Sequence, residues 1–121
     1  MYYFVSKQNF NGQILYPRVP ENRMTCEDAD TPRICVSKSI NGCLSAVGVF
    51  GEDEVYVHWC ESSNVIQPTV DQVPDCPFTG EEWIVEPVVM NGFMKIKIIG
   101  YQMMSVNNMS IWIYTFRQIE D

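Results

Sequence analysis

Carboxylates are the side chains in this sequence whose spacing most readily suggests chemistry. They fall into three short clusters: Glu27, Asp28 and Asp30; Glu52, Asp53 and Glu54; and Glu81 with Glu82. Ca²⁺ takes about six to eight oxygen ligands, but no cluster has the spacing of an EF-hand loop, so we expect solvated turns and no metal site. Glu82 differs because it opens an apolar strand, where a carboxylate beside a cleft can act as a general base.

The histidine and the cysteines show no catalytic or metal-binding pattern. No phosphate-binding loop, nucleophile elbow or zinc-protease motif occurs. His58 lies inside an alternating strand, which favours a structural role. A zinc site needs about four converging ligands, usually in close pairs, and the chain has no CxxC pair. We therefore expect small buried thiols of a reducing compartment, with the more reactive ones in polar loops at Cys26 and Cys76.

The charge balance narrows the classes of partner. The chain has 121 residues, with 8 basic and 15 acidic side chains and a net charge of −7. A net negative protein repels phosphate backbones, and its basic residues are scattered along the chain, so nucleic-acid binding is not expected. An acidic surface can instead steer the protein toward a basic patch on another protein.

The length predicts a single domain over residues 1–121, with no linker and no second core. No apolar run approaches the ~18–20 residues of a membrane-spanning helix. The first residues lack a secretion signal. We therefore expect a cytoplasmic protein without membrane contact, and the sequence leaves its oligomeric state open.

Alternating apolar residues predict short strands. These strands cover residues 2–6, 33–37, 54–59, 82–86, 93–99 and 110–117. Long proline-rich loops separate some of them, at 16–32 and 61–80. Strands outnumber helices and do not alternate with them, so we expect an α+β domain with a mostly antiparallel sheet of six or seven short strands.

One main helix is predicted over about residues 39–50, following a capping serine. Ile40, Cys43, Leu44 and Val47 recur at the spacing of one buried helical stripe. Gly42 weakens a helix by about 1 kcal/mol, and it would allow a strand or a ligand to approach closely.

Three segments resemble the ADP-ribosyltransferase superfamily in their order, a layout shared with small bacterial and phage proteins. They are Tyr2-Tyr3-Phe4-Val5-Ser6, Val36-Ser37-Lys38-Ser39 before the helix, and Thr79-Gly80-Glu81-Glu82-Trp83. The resemblance implies NAD as cofactor, a nicotinamide slot shaped by Ser37, and a ribose oriented by Glu82 or Glu81. The first strand departs from the family pattern because it lacks the Arg or His that anchors NAD. Arg18 or Arg33 could replace that anchor if the loop folds back over the cleft.

The first functional hypothesis is a non-catalytic binding protein without a cofactor. By analogy with other small acidic proteins, we expect it to be phage-encoded and to inhibit a host defence protein. Its acidic surface would meet a basic surface of that partner through Glu27, Asp28, Asp30, Glu52, Asp53 and Glu54. Complementary charge would raise the association rate, and a nearby tryptophan would supply affinity.

The alternative hypothesis is an NAD-using enzyme of the ADP-ribosyltransferase type. The resemblance then makes Glu82 and Ser37 the catalytic residues, with Tyr56 lining the pocket.

A third possibility is a protein that binds a small nucleotide in the same pocket without turnover. Arg18, Arg33 and Lys38 would meet the phosphates, because guanidinium groups pair with phosphate oxygens in a bidentate way. Release of nicotinamide from NAD would distinguish an enzyme from a protein that only binds the nucleotide.

Overall fold

Strands dominate the chain. The computed structural model describes residues 1–20, 27–48, 53–74, 76–106 and 108–121. Its elements, in chain order, are β1 (Tyr2–Ser6), β2 (Ile14–Leu15), β3 (Ile34–Ser37), α1 (Ile40–Val47), β4 (Glu54–Cys60), β5 (Val65–Ile66), α2 (Cys76–Thr79), β6 (Glu81–Ile84), β7 (Val88–Val89), β8 (Gly92–Val106) and β9 (Met109–Ile119).

Seven of these strands form one antiparallel sheet, in the order β5-β6-β3-β1-β4-β8-β9. The strands β2 and β7 pair separately as a small ribbon. Within the described residues, the antiparallel sheet and the two helices form an α+β arrangement, so the predicted α+β class with a mostly antiparallel sheet is confirmed. The pairing is set by apolar alternation, since a shift by one residue would turn every buried side chain toward the opposite face.

Side chains on the two faces of the sheet form separate apolar cores. On the face that α1 covers, Val55, Val57 and Ile96 are fully buried against Leu44 of the helix. On the opposite face, a second cluster includes Val36 and Ile84. Segments before β2 and after β7 cover that second cluster. The sheet is therefore buried on both sides near its centre.

The helix α1 is shorter than predicted. Ser39 caps its start, because its hydroxyl accepts a hydrogen bond from the Gly42 N–H at 2.9 Å. Gly48 ends it in the left-handed conformation, at φ 76°, and donates its N–H to the Leu44 carbonyl at 3.0 Å. This left-handed cap stops the helix at Val47, and the predicted residues Val49 and Phe50 lie outside the described part of the chain.

The last two strands are much longer than predicted. β8 has 15 residues and β9 has 11. Their pairing shifts register between Ile98 and Gly100, which marks a β-bulge. The bulge interrupts the two-residue alternation that the sequence analysis followed, and the strand continues beyond it. The predicted loop at 61–80 also contains β5 and α2, and β6 begins one residue earlier than predicted and ends at Ile84.

Gly42 allows α1 to touch the turn before β6. A Cβ atom at this position would lie 1.9 Å from the Thr79 carbonyl oxygen and 2.7 Å from the Ser37 hydroxyl. Only a residue without a side chain fits this contact. The close approach expected at Gly42 is therefore made by the backbone of the protein itself.

We predict that Gly42→Ala lowers the free energy of unfolding by about 1–3 kcal/mol through overpacking. Gly100→Ala is the matched control, because a Cβ atom there would meet nothing closer than Thr115 Cβ at 3.9 Å. Urea unfolding followed by circular dichroism measures both variants. Equal losses in the two would contradict the assigned contact.

Candidate functional site

The sheet is divided between β1 and β3. These neighbouring strands share one paired position, Tyr3 with Ser37, whereas β1 pairs with β4 at five positions. Beyond that position a cleft of about 960 Å³ opens between them. Its size lies within the range of small-molecule sites, which is about 300–1,000 Å³. The residues that line it include Val5, Ser6, Arg18, Cys35, Ser37 and Glu81.

Ser37 lies at the closed end of this cleft and is fully engaged. Its hydroxyl donates a hydrogen bond to the Thr79 carbonyl at 3.0 Å and accepts one from the Ser39 N–H at 3.1 Å. The side chain is buried. These contacts tie the start of α1 to the turn before β6, so the observed role of Ser37 is structural.

Glu81, and not Glu82, shares a face of the sheet with Ser37. The strand register pairs Ser37 with Glu81 and Val36 with Glu82, so the Glu82 side chain lies on the opposite face. Glu81 lines the cleft, and its Oε2 accepts a hydrogen bond from Trp83 Nε1 at 2.7 Å. The predicted catalytic pair, Glu82 with Ser37, is therefore not brought together.

Arg33 is the centre of a buried ion network beside the cleft. Its guanidinium donates to Glu27 at 2.7 Å and to Asp28 at 3.4 Å, with no exposed side-chain surface. It also lies over the Trp83 ring, 4.3 Å from the centroid. Backbone N–H groups of Thr31 and Asp30 donate to Asp28, and these bonds hold the pKa of that carboxyl below its usual value.

This network corrects three predicted binding residues. The two terminal nitrogens of the Arg33 guanidinium are taken by its own carboxylates, whereas its buried Nε has no hydrogen-bond partner among the described residues, and Arg33 lines the cleft. Glu27 and Asp28 neutralise that buried cation and are poorly placed to attract a basic partner. The sequence places Glu27 and Asp28 close to Arg33, and the fold pairs these opposite charges with each other.

The remaining predicted ligand residues do not converge. Arg18 is exposed at the rim of the cleft, where its backbone pairs with that of Arg33. The Lys38 ammonium lies 5.7 Å from the centroid of the Tyr2 ring. Neither Lys38 nor Tyr56 is among the described residues that line the cleft.

Tyr56 belongs to a different surface, near the C-terminus. Its hydroxyl donates a hydrogen bond to Asp121 at 2.5 Å, and this bond raises the pKa of the phenol. Lys95 lies over the same ring and pairs with Glu54 at 3.4 Å. Within the second acidic cluster, Glu54 is therefore paired with Lys95. The backbone carbonyl of Asp53 accepts a hydrogen bond from the Ile98 N–H at 2.9 Å. Glu52 lies outside the described residues. Asp30 is exposed.

His58 is a buried structural residue, as predicted. Its Nε2 accepts a hydrogen bond from the Phe10 N–H at 2.8 Å, so Nδ1 carries the proton and faces the Phe4 carbonyl at 3.1 Å. The rings of Phe4, Phe10 and Tyr56 surround it. Burial lowers the pKa of the imidazole, because the apolar surroundings disfavour its charged form.

We predict that the protein loses stability as the pH falls below 6.5, the ordinary histidine pKa. Below this pH the unfolded chain binds a proton at His58 that the folded protein does not bind. The contribution of His58 to the free energy of unfolding is therefore complete above pH 6.5 and is lost as the pH falls through the lowered pKa of the folded state. The slope is at most about 1.4 kcal/mol per pH unit. Urea titrations of wild type and His58→Gln should differ in slope there. Asp28 acts in a separate window, below 3.8. Parallel profiles would contradict this assignment.

The described thiols in the core are chemically quiet. Burial raises the pKa of Cys35 and of Cys43 to about 12, and that of Cys60 to about 11. A thiolate is the reactive form, so these three cysteines are poor nucleophiles. Cys76 is half-buried, with its sulfur 3.5 Å from the Pro68 carbonyl oxygen, and Cys26 lies outside the described residues.

An exposed apolar hairpin is the surface that sequence reasoning missed. We call residues 100–105 of β8 and 110–115 of β9 the arm. The strand β4 pairs with β8 no further than Lys97, so the arm is a two-stranded ribbon in the part of the chain that the structure describes. Four of its large side chains are exposed: Met103 by 56%, Tyr101 by 48%, Ile113 by 44% and Met104 by 43%. Ile111 and Trp112 are half-buried, and Tyr114 is buried. A signal was present, since no charged residue occurs between Lys97 and Arg117.

Both faces of the arm carry large apolar side chains, beside Gln102 and Thr115 on the outer face and the Ser105–Ser110 pair on the face toward α1. Cross-strand pairing places Met103 opposite Trp112 on the face toward α1, and Met104 opposite Ile111 on the outer face. The helix reaches only part of the ribbon: the Asn41 amide donates to the Trp112 carbonyl at 3.1 Å and accepts from the Tyr114 N–H at 2.7 Å. This pair of bonds covers the edge of β9 and leaves both faces near the end of the arm in water.

No protein-family model, curated protein or solved structure matches this chain. Neither described helix is long and apolar enough to cross a membrane. Within the described residues, no three His, Cys, Asp or Glu side chains gather as metal ligands would. The exposed arm and the cleft are the two features of the described structure that suit a binding function.

Proposed function

We propose that this protein is a small non-catalytic binding protein whose contact surface for a partner protein is the arm. The observation that carries the proposal is the exposure of Tyr101, Met103, Met104 and Ile113 on a ribbon without charge. Contiguous apolar surface of this kind is uncommon on monomeric proteins and marks interaction sites. Aromatic residues and methionine are also enriched at the centres of protein interfaces.

The dispersal of the predicted catalytic residues, Glu82 and Ser37, and of the predicted pocket residue Tyr56 supports binding over catalysis. Ser37 is held by two hydrogen bonds, and Glu82 lies on the other face of the sheet. The Tyr56 hydroxyl donates to Asp121. A hydrolytic or transfer reaction needs its groups within hydrogen-bonding reach of one substrate, and these three residues do not share a pocket.

The partner we expect has an apolar groove with a basic rim. The arm supplies the apolar contact, and the net charge of −7 draws the protein toward positive surfaces before contact. By analogy with other small acidic proteins, the partner class is a bacterial defence protein that a phage protein inhibits. In this proposal the acidic residues govern the association rate, while the arm governs the lifetime of the complex.

We predict that Ile113→Lys weakens partner binding by at least tenfold, because a lysine ammonium would be desolvated in the apolar contact. Ile66→Lys is the matched control: the same substitution on an edge strand at nearly the same exposure, 42% against 44%. Full-length wild type and both variants are used as baits in bacterial lysate at about 0.05 M and about 0.5 M salt.

A protein retained by wild type and by Ile66→Lys, but not by Ile113→Lys, is the expected partner, and it should remain bound at high salt. Titration of the purified partner then measures the fold change. Equal retention by all three baits would contradict the role of the arm. Loss of retention at high salt would indicate that the acidic side chains, and not the arm, hold the partner.

The cleft favours a second candidate function, the binding or use of NAD. Glu81, Ser37 and Arg18 line one cleft of about 960 Å³, and Glu81 is the alternative that the family resemblance allowed for the ribose carboxylate. The fit to the family is incomplete, because β1 carries no Arg or His and Arg33 is held by Glu27 and Asp28. Of the predicted residues, Arg18 remains a candidate to meet a phosphate, and Lys7 also lines the cleft.

For this candidate we predict that Glu81→Gln abolishes nicotinamide release from about 1 mM NAD, while Glu82→Gln retains it. Chromatography detects nicotinamide, and a thermal shift detects binding without turnover. A shift that is lost in Arg18→Ala, without any release, would indicate a nucleotide-binding protein. The absence of both nicotinamide release and a thermal shift would exclude the cleft as an NAD site.

A further inference from the structure

We infer that the cleft between β1 and β3 binds the end of a short extended peptide that carries a terminal carboxylate. The inference does not depend on the arm, and it assigns to the cleft a class of ligand that differs from NAD. Three features of the cleft carry it: backbone groups that face it from both strands, a buried guanidinium N–H without an acceptor, and two cations at its open end.

The backbone of β3 presents hydrogen-bonding groups to the cleft. In an antiparallel sheet, alternate residues of a strand direct their N–H and C=O groups to the same side. Arg33 exchanges both of its backbone hydrogen bonds with Arg18, at 2.9 and 3.1 Å, on the side of β3 that faces away from β6. Cys35, two residues further along, therefore directs its N–H and C=O groups into the cleft that it lines.

The backbone of β1 does the same from the opposite wall. The Trp59 carbonyl of β4 accepts a backbone hydrogen bond at 2.9 Å on the side away from β1. Tyr3 lies opposite Trp59 and directs its backbone toward β3, where it pairs with Ser37. Val5 would pair next, with Cys35, but the described pairing of β1 with β3 stops before it. Donors and acceptors thus face each other across the cleft, and an extended peptide backbone matches both walls.

Arg33 supplies a further donor. Its side chain has no exposed surface, and its Nε has no hydrogen-bond partner among the described residues. A buried donor of this kind is uncommon in folded proteins, and it marks a position where an acceptor belongs. Because Glu27 and Asp28 already neutralise the guanidinium, a neutral carbonyl oxygen suits Nε better than a further anion. The amide oxygens of a peptide are such acceptors.

Two cations lie at the open end of the cleft. Lys7 follows the end of β1, and Arg18 pairs with Arg33 at the end of β3 that is remote from Ser37. Lys7 and Arg18 are exposed and line the cleft, and neither has an ion pair within the described residues. In a chain with a net charge of −7, this end of the cleft is suited to a negative ligand group. A terminal carboxylate fits, since a guanidinium binds it in a bidentate way.

The two ends of the cleft limit the length of the ligand. The pair Tyr3–Ser37 closes one end, and the Arg18–Arg33 bridge borders the other. The distance along β3 from Ser37 to Arg33 is about 13 Å of extended strand, at roughly 3.3 Å per residue. About two or three peptide residues fit this length, whereas a strand that passes through would collide with both ends. A chain terminus is therefore a better match than an internal segment of a partner protein.

Amide NMR spectra of the isotope-labelled full chain test this inference. The probes are N-acetyl dipeptides built from Ala, Val and Ser in all orders, because small side chains such as Ala46 line the cleft. Each is added to about 5 mM, since a ligand of this size is expected to bind in the millimolar range. At least one probe should shift the amide signals of Val5 and Cys35 in a saturable way. The C-terminal amide of that probe should bind about tenfold more weakly, because it lacks the charge that meets Lys7 and Arg18.

Charge-removing variants locate the carboxylate. Lys7→Gln and Arg18→Gln should each weaken binding of the best probe by about threefold, the effect of one exposed ion pair. Lys38→Gln is the matched control, because Lys38 is exposed and is not among the described residues that line the cleft. Circular dichroism confirms that each variant is folded.

Three outcomes overturn the inference: no shift at Val5 and Cys35 with any dipeptide, equal binding of the acid and its amide, or equal weakening by the cleft variants and the control. NAD is measured in the same way. Shifts with NAD but with no dipeptide would overturn the peptide assignment and support the NAD site. Shifts with a dipeptide but not with NAD would support the peptide assignment and contradict the NAD site.

Discussion

The contact among Gly42, Ser37 and Thr79 is the constraint on which the rest of the structure depends. The sheet consists of two groups of strands, β5-β6-β3 and β1-β4-β8-β9, joined by the single pair Tyr3–Ser37. One strand pair is a weak connection between two halves of a sheet. The helix α1 packs against strands of both groups, and the Thr79 carbonyl binds the Ser37 hydroxyl beneath it. A side chain at position 42 would separate these parts and release both the helix and the turn before β6.

The cleft follows from the same constraint. Because Ser37 fixes the two halves at one end, the strands can diverge at the other end without loss of alignment. Divergence leaves space beside Cys35 and Glu81, and the Arg33 network closes one side of it. The Arg33 side chain is fully buried while its partners Glu27 and Asp28 are 11% and 15% exposed. Separating them would leave a buried cation without its partners, which costs about 3–5 kcal/mol. The cleft is thus bordered by rigid elements, which is a property of binding sites as well as of strained packing.

Local patterns in the sequence were sufficient for the central elements but not for the pairing of charges. Alternation located β1, β3 and β4, and the stripe through Ile40, Cys43 and Leu44 located α1. The clusters around Glu27 and Glu54 were predicted as exposed acidic surface because charge runs usually lie in solvent. Glu27 instead pairs with Arg33, whose burial depends on Trp83, a residue fifty positions further along the chain. Contacts of this kind depend on the tertiary fold, which periodicity does not encode.

The arm shows a different limit of sequence reasoning. Alternation correctly predicts a strand at β9, but the apolar pattern alone does not distinguish a core strand from a projecting one. A core strand and a projecting strand can both bury alternate residues, and Tyr114 is such a buried residue in the arm. What distinguishes the arm is that its outer face also carries large apolar side chains, Met104, Ile111 and Ile113, beside the uncharged Gln102 and Thr115. A strand with one face in water normally alternates apolar with polar residues. A second face with three large apolar side chains and no charge therefore indicates a surface for contact, and Met104 and Ile113 on it are exposed in the described structure.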